Sequence, residues 1–423
     1  MSAPEQKISP TQLRVGLHIR LDGWMEHSFL FSSFKIRNEK QLRALQSLGL
    51  ETLWWLPDKS DATPLPPPAV DAPAPQAAPV EDPEVAAMWR AKKERRENLA
   101  RQREAFGRCE NKFNASVGRV KLLLRNLFAR PQETLQQAQE VVAEMVDTLL
   151  AEKDVLLHLM SAKSGDEGAY YHALNVTMLA LMLAREAGMS AAEMRALGLG
   201  ALLHDMGKER VPSQILLKKA PWSAAERTFY QQHVVYGLEM ASRLPDLPPG
   251  ALEVIAQHHE MLDGSGFPNK LTATRIGRLG RIIAIANTYD DYCNRLNPAE
   301  AMTPAEALAR MFKHEREKFD ADLLQHFIRC LGVYPPGSIV QLSNDAIGLV
   351  VNVNPGQLLH PTLLLYDATV PKDEALMLDL KEEPELTVAR TLHPSSLTRE
   401  IHDYLSPRSR ISYYAAESEE RAK

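Results

Sequence analysis

The sequence predicts a multidomain, mainly α-helical protein, in which a helical bundle follows a small α+β module and precedes a short β-rich extension. Three observations predict this fold class. Capped amphipathic helices dominate residues 165–332, and few strand signals fall among them. A Pro- and Ala-rich stretch follows residue 60, and short alternating apolar segments follow Gly332. The predicted domains are 1–60 (α+β module), 61–85 (linker), 86–164 (helical connector), 165–332 (helical bundle) and 333–423 (β-hairpin extension and polar tail).

The N-terminal module combines strand and helix signals. Partial alternation predicts a strand over residues 15–21. Asn38 can cap a following helix whose leucines repeat at helical spacing, and Gly49 can end it. Residues 51–56 predict a closing strand, because they are rich in aromatic and other strand-favouring residues.

The segment between the module and the bundle changes in character along its length. Residues 58–84 are dominated by Pro, Ala and Asp, which cannot bury enough apolar surface to order a core, so they predict a linker. Residues 86–106 predict a charged helix, for which a solvated face or a coiled-coil arm is favoured over phosphate binding. Another helix is predicted over 130–162. The two helical segments could form the stalk of a homodimer, although no sustained heptad repeat supports this.

The helices of the bundle are marked by local start and stop signals. A helix is predicted over residues 170–187, ending at Gly188. Three capping boxes begin later helices, namely Ser190 with Glu193, Ser223 with Glu226, and Thr303 with Glu306, the last with Pro304 at the first helical position.

The C-terminal extension carries strand signals instead. Residues 338–342 and 347–353, separated by a polar turn, predict a β-hairpin, and residues 363–366 predict a further strand. Residues 405–423 are polar, and we expect them to be frayed.

The composition excludes several classes of function. The net charge is −5, from 49 Lys and Arg against 54 Asp and Glu, whereas proteins that bind polymeric nucleic acids usually have a strong basic excess. A small phosphate ligand needs only a local basic group and stays allowed. The three cysteines form no CxxC pair, so neither a disulfide framework nor a thiolate zinc site is indicated. No signal peptide and no apolar stretch of about 20 residues is present, which predicts a cytoplasmic protein without a membrane span.

The chemistry is carried by histidines and one aspartate spread over the bundle. Neutral imidazoles with a carboxylate suit Fe, Mn, Zn or similar ions. His204 and Asp205 are adjacent and point about 100° apart on a helix, so the histidine can bind one ion while the carboxylate spans two. This suits two metal ions roughly 3.5–4 Å apart, which supply a nucleophile at neutral pH and neutralise charge on a phosphodiester.

A single histidine or a single His-Asp pair is weak evidence for a metal site. A histidine such as His172 or His233 on an amphipathic helix is more often structural, and a His-Asp pair also arises by chance. The string His-His-Glu-x-x-Asp-Gly-x-Gly-Phe-Pro over residues 258–268 is far more specific, because its glycines permit a tight turn that a packing helix does not need.

These motifs, in this order, resemble the HD-GYP phosphodiesterases, a branch of the HD hydrolase superfamily. The resemblance covers about residues 165–331, and its segments are 172–176, 203–208, 233–237, 258–268 and 281–290. Residues 7–57 are similar to an uncharacterised module that often precedes this domain in bacterial members. The resemblance implies a helical fold, a centre of two or three metal ions, and hydrolysis of cyclic di-GMP to the linear dinucleotide pGpG or to GMP.

The resemblance also implies roles for individual residues. The metal ligands would be His172, His204, Asp205, His233, His258 and His259, with Asn287 in the last ligand position. Asp205 and Lys208 would be catalytic, with Lys208 contacting a substrate phosphate. The residues expected to contact substrate or shape its site, and to offer a surface to a signalling partner at the Gly-Phe-Pro turn, are Glu260, Asp263, Gly266, Phe267, Pro268 and Arg295.

Three departures from the family pattern matter. Phe267 stands where the family has Tyr, so a hydroxyl is lost while the aromatic ring stays. Gly168 stands where some members have a Glu, and Glu167 is one residue out of register, which predicts two metal ions rather than three. Asn287 stands where the family has Asp; its amide is neutral, so metal affinity should fall.

The sequence therefore leaves two main functions open. The first is a metal-dependent phosphodiesterase acting on cyclic di-GMP. The second is a module that binds the dinucleotide or a protein without turnover, as Asn287 and Phe267 allow. A third, an HD nucleotidase acting on mononucleotides, is disfavoured because such enzymes do not need the 258–268 string.

Overall fold

Internal contacts divide the chain into two units. One contains residues 1–104, 344–346 and 365–377, and the other contains 105–343, 347–364 and 378–423. The computed structural model describes residues 4–22, 29, 32–67, 83–127, 129–151, 155–161, 168–218, 220–295, 297, 300–354, 356–372, 375–406 and 411–417. Within these residues, no helix has both the length and the apolar character needed to cross a membrane.

The N-terminal unit contains a four-stranded antiparallel sheet in the order β1-β4-β2-β3. Its strands are β1 (Gln6–Ile8), β2 (His18–Arg20), β3 (Ser33–Lys35) and β4 (Leu53–Trp55). Helix α1 (Glu39–Gln46) begins after Asn38, whose side chain accepts a hydrogen bond from the Gln41 amide at 2.9 Å. Leu17, Ile19 and Leu45 are fully buried between sheet and helix. The predicted strands and the helix cap are therefore confirmed, with shorter strands than expected.

Two long helices follow the linker region. Helix α2 (Pro83–Asn126) continues 20 residues beyond the predicted charged segment, and α3 (Pro131–Ala151) buries an apolar face at helical spacing. Residues 68–82 of the predicted linker lie outside the described residues.

Two predictions at the edges of the helical unit are wrong. Residues 155–161, expected to be helical, form strand β5 (Val155–Ser161), which pairs antiparallel with β11 (Ile411–Glu417) from the expected frayed tail. A short apolar run cannot be assigned to helix or strand by periodicity alone. The strand partner that decides it lies about 250 residues away, where no local signal points to it.

The helical bundle is built around helix α4. Its helices are α4 (Gly168–Glu186), α5 (Ala191–Leu203), α6 (Ser213–Leu216), α7 (Ala224–Gln231), α8 (His233–Ala241), α9 (Pro249–Gln257), α10 (Arg278–Cys293), α11 (Pro304–Lys313) and α12 (Ala321–Leu331). Residues 173–184 are all buried, because α4 packs against α3, α5, α10 and α12. A 3-10 turn, Met206–Arg210, follows α5 and packs on α8.

The local signals of the bundle are confirmed. Gly188 adopts a φ of 69° directly after α4, a conformation that suits glycine. All three predicted capping boxes are present at the starts of α5, α7 and α11. Each cap contributes about 1 kcal/mol by satisfying amides that the first turn leaves unpaired.

The C-terminal part forms a five-stranded sheet in the order β10-β6-β7-β8-β9. Its strands are β6 (Ile339–Leu342), β7 (Ile347–Asn352), β8 (Thr362–Leu365), β9 (Met377–Asp379) and β10 (Val388–Leu392), and helix α13 (Arg399–Leu405) follows them. The predicted hairpin is β6 with β7, and the predicted further strand is β8. Strands β9 and β10 were not predicted, because they are short and lack alternation.

Candidate metal centre

Four helices bring the six predicted imidazole and carboxylate ligands together. His172 lies in the first turn and a half of α4, His204 and Asp205 follow the end of α5, and His233 begins α8. His258 and His259 follow the end of α9. The ligand atoms form two groups that share the Asp205 carboxylate, with all atoms of a group within 4.8 Å of one another.

The two oxygens of Asp205 face different imidazoles. Oδ2 lies 3.4 Å from Nε2 of His172 and 3.4 Å from Nε2 of His204. Oδ1 lies 3.5 Å from Nε2 of His233 and 3.9 Å from Nε2 of His258. We call these the Oδ2 side (His172, His204) and the Oδ1 side (His233, His258, His259). The carboxylate is therefore placed to bridge two cations.

Helix geometry fixes the orientation of three of the imidazoles. Nδ1 of His204, His233 and His258 each lies 2.7–2.8 Å from the backbone carbonyl three residues earlier. Because a carbonyl can only accept, each Nδ1 donates a proton, and in the neutral ring Nε2 keeps its lone pair. Metal-binding histidines are commonly oriented by such a second hydrogen bond.

His172 is oriented by a carboxylate that the sequence analysis missed. Asp290 Oδ2 accepts from His172 Nδ1 at 2.5 Å, while its Oδ1 accepts from the Asn175 and Asn294 amides. Asp290 is 1% exposed, so its charge is held by these bonds. The signal that could have found it is its place in α10, one turn after Asn287 and on the same face.

Protonation differs between the two sides. Burial lowers the pKa of His233 to about 4, and burial also lowers the pKa of His258 and His259 well below 6.5. Burial acts the same way on His172, but the hydrogen bond and charge of Asp290 outweigh it and raise the pKa of His172. Burial would raise the pKa of Asp205, yet the neighbouring positive groups hold it well below its usual value. At neutral pH the centre therefore offers a carboxylate and at least three neutral imidazoles.

These residues fit divalent cations. Nε2 of His233 and Nε2 of His258 lie 3.2 Å apart, and each carries a lone pair, because both rings are neutral and donate through Nδ1. Facing lone pairs are unfavourable unless an electron acceptor lies between them. Asp205 Oδ1 and Asn287 Oδ1 are also buried with no hydrogen-bond partner in the described part of the chain. A bound cation satisfies all of these atoms.

Lys208 is brought to the centre by close backbone packing. A Cβ added at Gly207 would lie 1.9 Å from the His233 carbonyl oxygen, so only glycine lets the 3-10 turn rest on α8. Lys208 then pairs with Asp205 Oδ2, and its Nζ lies 5.5 Å from the centre of the Tyr230 ring. Burial would lower the pKa of Lys208, but the Asp205 charge outweighs it and raises it. Lys208 is therefore a fixed cation beside the predicted ligands.

The loop after α9 is tied down by a buried carboxylate. Glu260 is 1% exposed, and its two oxygens accept from the amides of Asn269 and Leu271, each at 2.7 Å. A Cβ at Gly266 would lie 2.4 Å from the Met261 nitrogen, so this position also requires glycine. Asp263 accepts from the amide and hydroxyl of Ser265. These contacts shape the loop and use both Glu260 oxygens as acceptors for backbone amides.

Phe267 connects this loop to the centre. Its ring stacks on His259, with centroids 4.3 Å apart, and the Phe267-Pro268 peptide bond is cis. The aromatic body expected at this position therefore packs directly on a predicted ligand.

A cavity of about 1390 Å³ opens from the metal centre. Three chemical classes stand out among its lining residues. The basic residues are Arg125, Lys208, Lys218, Arg227 and Arg295, the acidic residues are Asp205, Glu209, Asp290, Asp291 and Glu300, and the aromatic residues include Tyr170, Tyr171, Trp222, Tyr230 and Phe267. The cavity exceeds the roughly 300–1000 Å³ of typical small-molecule sites, so it can take an extended ligand.

The structure places the remaining predicted site residues unevenly. Arg295 lines the cavity, with its guanidinium 5.4 Å from the centre of the Tyr292 ring. Gly168 also lines it, whereas Glu167 lies outside the described residues. Among the described residues that line the cavity, Glu260, Asp263, Gly266 and Pro268 do not occur. Asn287 is buried to 1% exposure in α10.

Comparison with known families finds two matches along the chain. Residues 133–323 match the model of the HD domain, and residues 5–138 match that of a domain of unknown function, DUF3391.

Curated relatives match over different shares of their length. Cyclic di-GMP phosphodiesterase PA4108 of Pseudomonas aeruginosa is 28% identical over 85% of this chain and 85% of its own. The cyclic di-GMP phosphodiesterase response regulator RpfG of Xanthomonas campestris is 29% identical over 54% of this chain, which spans 59% of that protein. The 3'3'-cGAMP-specific phosphodiesterase 2 of Vibrio cholerae is 33% identical over 43% of this chain, which spans 36% of that protein.

Proposed function

We propose that this chain is a metal-dependent phosphodiesterase. It belongs to the HD-domain proteins with an N-terminal DUF3391 module. Its substrate is cyclic di-GMP, which it hydrolyses to linear pGpG, to GMP or to both, in bacterial second-messenger signalling. One observation carries the proposal: the two oxygens of the Asp205 carboxylate face two separate sets of imidazoles at the end of a cavity that Lys208 and Arg295 also line.

The residues proposed to hold two divalent ions, Fe, Mn or similar, are His172, His204, Asp205, His233, His258 and His259, with Asn287 as a further neutral ligand. Bound ions of this kind supply a nucleophile at neutral pH and neutralise charge on the attacked phosphate.

The protein's own groups position the substrate. Lys208 Nζ, held beside Asp205, binds an oxygen of the attacked phosphate. Arg295 at the cavity wall binds the second phosphate of the cyclic dinucleotide. Asp290 keeps His172 in one orientation, and Phe267 keeps His259 in place by stacking. The loop fixed by Glu260 supports that stack.

The test is anaerobic purification with metal analysis, followed by turnover of cyclic di-GMP after loading with Mn or Fe. We expect two ions per chain and linear product. Asp205→Ala should abolish both, whereas His314→Ala, an exposed histidine after α11, should change neither. A panel of 3'3'-cGAMP, cyclic di-AMP and mononucleotides separates this activity from a nucleotidase.

A second candidate function follows from Asn287. Since its amide adds no charge to the centre, the domain could bind cyclic di-GMP without hydrolysing it. Binding with no turnover under either metal, and turnover restored by Asn287→Asp, would support this second function over the first.

Several partners remain predictions. A signalling protein could dock near the Gly-Phe-Pro turn, although Gly266 is buried there and Phe267 packs inward. We also propose a homodimer through the long helices and a location in the cytoplasm.

A further inference from the structure

A pair of aromatic side chains forms a distinct part of the cavity surface. The rings of Trp222 and Tyr230 have centroids 4.4 Å apart and planes inclined by 37°. Trp222 Nε1 donates to the Ile215 carbonyl at 3.0 Å, so the polar edge of the indole is satisfied and its orientation fixed. Both residues are half-buried and line the cavity. We call this pair the aromatic wall.

The aromatic wall is continuous with the metal centre. The Tyr230 carbonyl accepts from Nδ1 of His233, and the two rings lie 4.8 Å apart. Lys208 Nζ also lies 5.5 Å from the centre of the Tyr230 ring. A ligand whose phosphate contacts Lys208 Nζ therefore lies beside the wall.

Basic side chains accompany the wall in the cavity lining. Arg227, on helix α7 with Tyr230, and Arg125 line the same cavity, and Lys218 lines it while paired with Glu226 at 2.7 Å. Cations select phosphates, and fixed aromatic faces select planar rings. A nucleotide joins both features in one molecule.

We propose that Trp222 and Tyr230 form the subsite that stacks a nucleobase of the dinucleotide whose phosphate lies at the metal centre. This inference rests on the proposed function and names the residues that recognise the base. Stacking accepts any base, because every base has a π face. The wall therefore selects nucleotides over phosphate esters without a base.

The test compares two phosphate monoesters, GMP and ribose 5-phosphate, in titration calorimetry with the metal-loaded full-length protein. Trp222→Leu removes the aromatic face and keeps an apolar side chain. The matched control is Phe229→Leu, which lies on α7 next to Tyr230, is 39% exposed and is outside the described cavity lining. Trp222→Phe tests rescue by a smaller aromatic ring, and thermal unfolding reports whether each variant is folded.

We expect Trp222→Leu to weaken GMP binding by roughly 5- to 150-fold, the range for loss of one stacked base, and to leave ribose 5-phosphate binding unchanged. Trp222→Phe should recover most of the GMP affinity, and Phe229→Leu should behave like the natural protein. AMP should show the same loss as GMP.

Three results would overturn the inference: unchanged GMP affinity in Trp222→Leu, an equal loss for both ligands, or no binding of GMP by the natural protein. Its failure is separable from that of the proposed function. Turnover of cyclic di-GMP with no Trp222 effect refutes only the subsite, and GMP binding that depends on Trp222 without turnover refutes only the phosphodiesterase.

Discussion

The two sides of the Asp205 carboxylate hold their imidazoles in different ways. On the Oδ1 side, burial keeps His233, His258 and His259 neutral, with a pKa of about 4 for His233. On the Oδ2 side, the carboxylate of Asp290 raises the pKa of His172, so a proton competes with a cation there. The Oδ1 side is therefore prepared for a metal ion, while the Oδ2 side depends on a second carboxylate behind the ligand.

We expect Asn287 to act on the weaker side of this comparison, because it lies one helical turn before Asp290, which bonds His172. Its amide oxygen is buried and has no hydrogen-bond partner among the described residues. An amide there adds no negative charge. Of the two proposed ions, we therefore expect the one on the Oδ2 side to be held less tightly.

The largest expected effect comes from the shared carboxylate. Asp205→Ala should remove both ions and lower turnover more than the roughly 10–100-fold typical of changes outside the ligand set, because both sides lose a ligand. Elemental analysis of the purified variant measures this. Retention of one ion would show that the sides do not share Asp205 in the way described.

Asp290→Asn should lower the metal affinity of one side of the centre and not of the other. It removes the charge behind His172, so the affinity of the Oδ2 ion should fall roughly 10–100-fold while the Oδ1 ion stays. Metal stoichiometry during dialysis against a weak chelator reports this difference. Asp322→Asn, exposed in the first turn of α12, is the control. Loss of both ions together would contradict the comparison.

Asn287→Asp should reduce the asymmetry. The added carboxylate should strengthen binding of the weaker ion on the order of tenfold, because a charged oxygen attracts a cation more strongly than a neutral amide oxygen does. Chelator competition measures the change. A fall in affinity would place Asn287 away from the centre.

Acidification should release the ions in order. A raised pKa lets protons displace the metal at higher pH, so the Oδ2 ion should lose affinity about tenfold per pH unit once the pH falls below the raised pKa of His172. The lowered pKa of His233 protects the Oδ1 ion until the pH approaches about 4. Metal analysis after dialysis at stepped pH follows both. Release of both ions at the same pH would contradict the proposed difference between the two sides.

The sequence predicted what local signals encode. Helix caps such as Asn38 and Ser190, and the hairpin of β6 and β7, depend on residues a few positions apart, and the structure has them. The motifs also predicted that six ligands lie close together, and the structure places them so, because they lie in or at the ends of helices that converge. Whether each binds a metal stays a prediction.

What the sequence did not reveal depends on distant partners. Asp290 can orient His172 only because α10 packs beside α4. Trp222 forms part of the aromatic wall only because Tyr230 on α7 packs against it. The orientation of Glu260 toward backbone amides could not be read from its place in the motif. Side-chain direction within a loop depends on the closed loop itself.

The pairing of β5 with β11 has a consequence for biosynthesis. The two strands are separated by about 250 residues, and all the predicted metal ligands lie between them. During translation, β5 has no partner until residue 417 has emerged from the ribosome, and closing so long a loop is slow. The strand pair beside α4 therefore forms after the predicted ligands have been synthesised, and a chain shortened before Ile411 would keep those ligands but lack the partner of β5.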